Sequence, residues 1–239
     1  MRKFYFLLIL IFCLKGYAQK KTDIYVDENL KYISETQFCK KKESPLYYGF
    51  NYSTKDTLLS RLFLSYDMGK LNKKSKNQLF SLLSQRNNVD TTRRILIHYR
   101  DTLFSKNNYP RIDSILYSSK NHLGKNSYES FIQGVINCEN EENGNDIKVY
   151  HFYKHNQGHP KEIKEVSFNQ DHLGMVNRLF HNTDGLHRYW AVLIFPDGRY
   201  IRNNRIFRGY SPINWQRLKK GKGWKENFLR FKRSYSKLN

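Results

Sequence analysis

Two rhythms of apolar and polar residues run along this chain. Through 46–52 the rhythm is two: Leu46, Tyr48, Phe50 and Tyr52 alternate with Tyr47, Gly49 and Asn51, which predicts a half-buried strand. A second apolar run over 58–66, interrupted at Ser60 and Arg61, predicts another. Before them, Ile24-Tyr25-Val26, the acidic turn Asp27-Glu28-Asn29 and a run over 30–33 read as strand, turn, strand. Ser34 and Gln37 have the spacing of a capping box, so a short helix opens over 35–42 and ends before Pro45. Asn72 can cap a helix with Leu79, Phe80, Leu82 and Leu83 on one side, stopped at Asn87-Asn88.

From Arg93 onward strands and helices alternate. The compact run over 95–99 predicts a buried strand. Helical spacing follows over 111–117 and over 128–137, the latter with Phe131, Val135 and Ile136 on a face. After a polar loop over 139–146 come strands over 147–153 and 166–168, then a helix over 172–180. The apolar run 189–195 ends in Pro196-Asp197-Gly198, a turn with Pro and Gly at suitable positions, and 199–202 returns as its partner strand. Ser211-Pro212 opens a helix carrying Ile213, Trp215 and Leu218; Gly221 to Gly223 break it, and 224–231 resume it. The implied class is α/β (α+β), a mixed sheet covered by helices. A smaller β-rich subdomain is expected over 19–90 and an α/β domain over 91–239.

The first eighteen residues are expected to be an address. Arg2 and Lys3 precede an apolar run over 4–13, and Gly16-Tyr17-Ala18 supplies small residues where a signal peptidase reads, with cleavage between Ala18 and Gln19. The run is shorter than the roughly 20 residues that span a bilayer. Phe12 is too bulky before Cys13 for lipid attachment. The expected location is therefore exported, periplasmic or secreted. That leaves Cys39 and Cys138 in a compartment that permits disulfides, where they either pair or remain small buried hydrophobes.

Charge changes the picture most at the C-terminus. The chain carries 42 Lys and Arg against 21 Asp and Glu, a net +21. Without Arg2, Lys3 and Lys15 the excess is +18, 39 basic against 21 acidic residues. Between Arg199 and Asn239 thirteen Lys and Arg face one acid, Glu226. Trp215, Arg217, Lys219, Lys220, Trp224, Lys225 and Arg230 form the candidate binding surface, interleaved with further cations and Phe228 and Phe231. A basic-aromatic helix of this kind meets an anionic membrane surface or a polyanion; alternatively its aromatics anchor in the core while the cations point outward.

Catalytic patterns are scarce. His151, His155 and His159 recur every four residues and are a candidate metal set, although Gly158 and Pro160 break a helical reading and no H-E-x-x-H is present. Asp171-His172 and Asp184 to His187 bring acid and base types together near Ser167 and Thr183, without a nucleophile elbow. Gly221-Lys222-Gly223 lacks the frame of a phosphate loop, so no dinucleotide or other cofactor is expected.

Two resemblances follow. The leader ending before Gln19, the strand and turn over 24–29, Ile33-Ser34 followed by Phe38, and the strand-Pro196-Asp197-Gly198-strand before a helix resemble exported proteins of the flavobacterial type, which have no assigned activity to carry over. The order of elements over 93–220 resembles a thioredoxin-like fold, with Pro196-Asp197-Gly198 at the hairpin between its last two strands. That resemblance implies a Cys-x-x-Cys after the first core strand, and 100–111 contains no cysteine. Two functions are carried forward: a non-catalytic exported binding module acting through the basic-aromatic surface, and a divergent thiol enzyme using Cys39 or Cys138 singly.

Overall fold

The computed structural model describes residues 22–109, 127–139, 146–163, 166–180, 189–204 and 215–239. The leader expected over 1–18, the helix expected over 111–117, most of the loop over 139–146 and the Ser211-Pro212 helix start lie outside the described residues. Among the described residues no helix is long and apolar enough to cross a membrane. The class is mixed α and β, as the alternating rhythms imply. The chain divides into two compact units between Leu64 and Ser65, not near residue 90.

The first unit is a three-stranded sheet with a helix. β1 (Thr22–Val26) runs parallel to β3 (Thr57–Leu64), and β2 (Tyr47–Ser53) pairs antiparallel with β3, giving the order β1-β3-β2. The second strand expected over 30–33 is reduced to one bridge between Val26 and Tyr32. The Asp27 carboxylate explains this: it accepts from Asn29 N at 2.8 Å and Lys31 N at 2.9 Å and closes the turn tightly. α1 (Glu35–Glu43) begins with both bonds of the capping box, Gln37 N to Ser34 Oγ at 3.2 Å and Ser34 N to Gln37 Oε1 at 3.0 Å. It buries Phe38 against Tyr25, with ring centroids 5.2 Å apart.

The run over 58–66 is two strands, and this moves the boundary. Leu64 pairs with Tyr47, whereas β4 (Tyr66–Lys70) pairs antiparallel with β10 (Arg199–Asn203), setting Tyr66 opposite Asn203. α2 (Lys73–Asn87) therefore belongs to the second unit. Asn72 caps it through Ser75 N at 2.8 Å, and Asn88 closes it in the left-handed region at φ 52°.

The second unit is built on seven strands in the order β4-β10-β9-β5-β6-β8-β7. Its centre is β5 (Arg94–Phe104), parallel to β6 (Ile147–Gln157) and antiparallel to β9 (Tyr189–Ile194). The connection from β5 to β6 carries α3 (Ser127–Glu139), as a parallel pair requires a long crossover. β7 (Glu162–Ile163) and β8 (Val166–Gln170) extend the sheet beyond β6, and α4 (Met175–Phe180) follows them. One face of the sheet packs on α2 and α4: Leu79, Leu83, Val176 and Phe180 meet Ile95, Ile97, Tyr99, Phe152 and Trp190. α3 contributes Phe131, Ile132 and Val135 to a second cluster with Tyr153, Val166 and Phe168. Each fully buried Leu, Ile or Phe here is worth about 1.5–3 kcal/mol against exposure. α5 (Trp215–Lys219) and α6 (Trp224–Leu238) close the unit.

Candidate functional site

α6 is built on two incompatible faces. Trp224, Phe228, Phe231 and Tyr235 fall at helical spacing and form one stripe. Trp224 stacks on Phe228 at 4.6 Å, and the buried Phe231 packs on Tyr66 of β4 at 5.6 Å. Trp224 Nε1 donates to the Tyr200 carbonyl of β10 at 3.4 Å, tying the first turn to the sheet. Lys225, Arg230, Lys232, Arg233 and Lys237 are all exposed, with the Lys232 ammonium over the Phe228 ring at 4.8 Å, and exposed Lys220 and Lys222 continue the cations ahead of the helix. The left-handed Gly221 and Gly223, at φ 74° and 77°, form the link between α5 and α6.

The seven residues nominated from the sequence divide accordingly. Lys220, Lys225 and Arg230 are surface cations as expected. Arg217 is exposed and paired with Glu226 at 3.3 Å. Lys219 is a correction: it is 5 % exposed, because α5 turns it inward beside Leu218. Trp224 is half-buried; its ring stacks on Phe228 and the Arg199 guanidinium lies 5.2 Å from its centroid. Trp215 begins α5, and its side chain lies outside the described residues.

The histidines do not assemble into a metal set. His151 is buried on β6 and stacks on His98 of β5 at 5.3 Å, whereas His155 is exposed. His159 is buried; its Nδ1 lies 2.6 Å from the Pro160 carbonyl and its Nε2 3.3 Å from the Tyr128 hydroxyl, so both ring nitrogens are occupied. Burial holds its pKa below the usual histidine value. The strand carrying the first two ends before the third, which separates them. Among the described residues no three His, Cys, Asp or Glu side chains converge as metal ligands. Of the two cysteines, Cys39 is an exposed free thiol and Cys138 a half-buried one. They belong to different units, on α1 and at the C-terminal end of α3.

Three features escaped the sequence. His98 lies in the apolar run of β5, opposite His151 in the parallel register. Its pKa is held well below the usual histidine value, first by burial and then by the positive fields of His151, Lys219 and Arg100. Asp171, also buried, accepts from the Tyr99 hydroxyl at 3.0 Å, Val176 N at 3.1 Å and Asn177 N at 2.9 Å. Burial raises its pKa and these bonds oppose the rise; the two N–H groups it accepts from make it a cap of α4. Third, a cleft of about 270 Å³ opens where Arg94 of β5 faces the β9–β10 hairpin residues Phe195, Asp197 and Arg199, with Asp146 and Gly221 at its sides. The Pro196-Asp197-Gly198 turn was a legible signal for the hairpin, but Arg94 lay outside any motif.

Compared with protein-family models, curated proteins and solved structures, the chain gives no significant match to any of them.

Proposed function

We propose that this chain is an exported, non-catalytic binding protein that holds an acidic polymer through the basic face of α6 and the α5–α6 link. The observation that carries the reading is the division of α6: its aromatic stripe is used on β4 and β10, and its outer face presents five cations with no acid beyond Glu226 in the first turn. Contact is then by charge, through counterion release. A helix that lies in a membrane interface needs an apolar face free to enter the lipid. Here that face is engaged, which favours a polyanion over a bilayer. The Trp224 ring is already in contact with Phe228 and Arg199, which counts against base stacking and favours a strand of phosphate, sulfate or carboxylate groups.

The leader read over 1–18 supports export. The strand order β10-β9-β5-β6, with β9 alone antiparallel to the other three, supports the thioredoxin-like reading of the second unit. A thiol enzyme draws less support. Cys138 sits at the C-terminal end of α3, where the helix dipole disfavours a thiolate, and Cys39 belongs to the other unit.

The test is binding of polyphosphate, heparin, duplex DNA and anionic vesicles as salt is raised. Saturable binding to the polymers with a steep salt slope, and weak binding to vesicles, is the expected result. Absence of binding to every polymer at low salt overturns the reading, and preference for vesicles replaces it with a membrane-surface role.

A further inference from the structure

The cleft at the start of α6 contains two guanidinium groups held in different ways. Arg199 sits against two rings, its Cζ 4.9 Å from the Phe195 centroid and 5.2 Å from that of Trp224. Among the described residues its side chain makes one polar contact, Nε to Asp197 Oδ2 at 2.7 Å, so both terminal nitrogens keep their N–H groups available. Arg94 is held by close packing. A Cβ on Gly221 would come within 2.5 Å of its Nη1, and the left-handed backbone there also favours glycine. Arg94 Nη2 lies 3.6 Å from Asp146 Oδ2, an ion pair beyond hydrogen-bond reach, and its Nε is buried with no hydrogen-bond partner among the described residues. Asp146 takes its shorter contact from Arg93 Nε at 2.8 Å.

We propose that this cleft is a binding site for a single tetrahedral oxyanion, a phosphate or sulfate group, gripped by the terminal nitrogens of Arg94 and Arg199. Three guanidinium groups, Arg93, Arg94 and Arg199, meet two carboxylates, Asp146 and Asp197, so the region keeps one positive charge. Both carboxylates are already engaged by arginines, and the donors left over call for an acceptor ligand. The two ring contacts of Arg199 and its bond to Asp197 restrict the side chain before a ligand arrives, so less freedom is lost on binding. About 270 Å³ admits one such group with its waters. Through Trp224 the cleft adjoins the first turn of α6. The proposal deepens the acidic-polymer reading, and rests on it where the oxyanion is one unit of a polymer lying along that helix.

The experiment is calorimetric titration of the full chain with inorganic phosphate and with long-chain polyphosphate. Arg94→Gln and Arg199→Gln should each weaken phosphate binding at least tenfold. Joint replacement of Lys225, Arg230, Lys232 and Arg233 by Gln should leave phosphate affinity within twofold and weaken polyphosphate at least tenfold. Arg199→Lys, which keeps the charge but loses the planar fork, should weaken phosphate about fivefold; it decides the matter if Arg199→Gln does not fold. No saturable phosphate binding by the unaltered chain, or affinity within twofold in both Gln variants, overturns the cleft site and leaves the α6 reading standing. Phosphate binding without polyphosphate binding shows that the oxyanion is not a polyphosphate unit and leaves the cleft a site for free phosphate. Competition between the two ligands, with Arg199→Gln weakening both, identifies the oxyanion as a unit of the polymer.

Discussion

His98 and Tyr99 are consecutive residues of β5 that point to opposite sides of one sheet, and each takes a polar group into the interior. On the side of α2 and α4, Tyr99 stacks on Trp190 at 4.6 Å and donates its hydroxyl to Asp171, itself committed to two backbone N–H groups of α4. On the other side His98 stacks on His151, and the charged groups acting on it, Lys219 from α5 and Arg100 from β5, are positive. Arg100 in turn lies over the Phe131 ring of α3 at 4.1 Å. The first side matches a donor with an acceptor. The second buries a titratable group where any added proton is opposed by burial and by like charge. Similar depth in one sheet thus yields a cap on one face and a pH-sensitive joint on the other.

The strongest way to break this contrast is Asp171→Ala. It removes three accepted hydrogen bonds and leaves the Tyr99 hydroxyl and two N–H groups of α4 without their acceptor, so a loss of about 2–4 kcal/mol is expected in urea unfolding. A loss below about 1 kcal/mol would mean that Asp171 organises nothing.

Acid should act on the opposite face. The folded-state pKa of His98 is depressed, so below about pH 6.5 the unfolded chain takes up a proton that the folded chain refuses. Stability therefore falls as pH falls, by up to about 1.4 kcal/mol per pH unit from this residue. His98→Leu should flatten the slope between pH 7 and pH 5, measured by denaturant midpoints. An unchanged slope in that variant would remove His98 from the account.

Tyr99→Phe sharpens the comparison from the satisfied side. It deletes one hydroxyl and should cost about 0.5–1.5 kcal/mol. That hydroxyl opposes the rise of the Asp171 pKa, so without it the folded chain holds a proton on Asp171 more readily, and the stability this adds as pH falls works against the loss at His98. The acid slope should therefore flatten, and an unchanged slope would take the Tyr99 bond out of the Asp171 account. The smallest effect is expected from replacing Lys225, Arg230, Lys232 and Arg233 by Gln. Because they lie outside both interior arrangements, unfolding should shift by less than about 0.5 kcal/mol at either pH. A larger loss would mean that the outer face of α6 is structural.

Much of the local architecture was legible because its causes are local. The Ser34–Gln37 capping box, the Asn72 cap and the Pro196-Asp197-Gly198 turn each depend on residues a few positions apart, and each forms. The division of the units was not legible. The Leu58-to-Tyr66 run looks continuous in sequence, but Tyr66 takes its partner from Asn203, far along the chain. The same limit governs the candidate site. The density of cations after Arg199 was visible, yet whether Lys219 points out or in depends on how α5 turns, and the tertiary packing places it inside. The period of four in His151, His155 and His159 suggested a cluster that strand geometry disperses.

By itself the sequence determined the rhythm of strands and helices, the helix starts, the hairpin turn and the weight of positive charge at the C-terminus, all set by neighbours within a turn or a strand. Only the tertiary structure decided which strand β4 joins, which α6 residues face the sheet, and that Arg94 meets the Arg199 hairpin across a cleft. Those outcomes depend on pairs widely separated in the chain, whose contact energy is realised only after the intervening residues have closed around a common core.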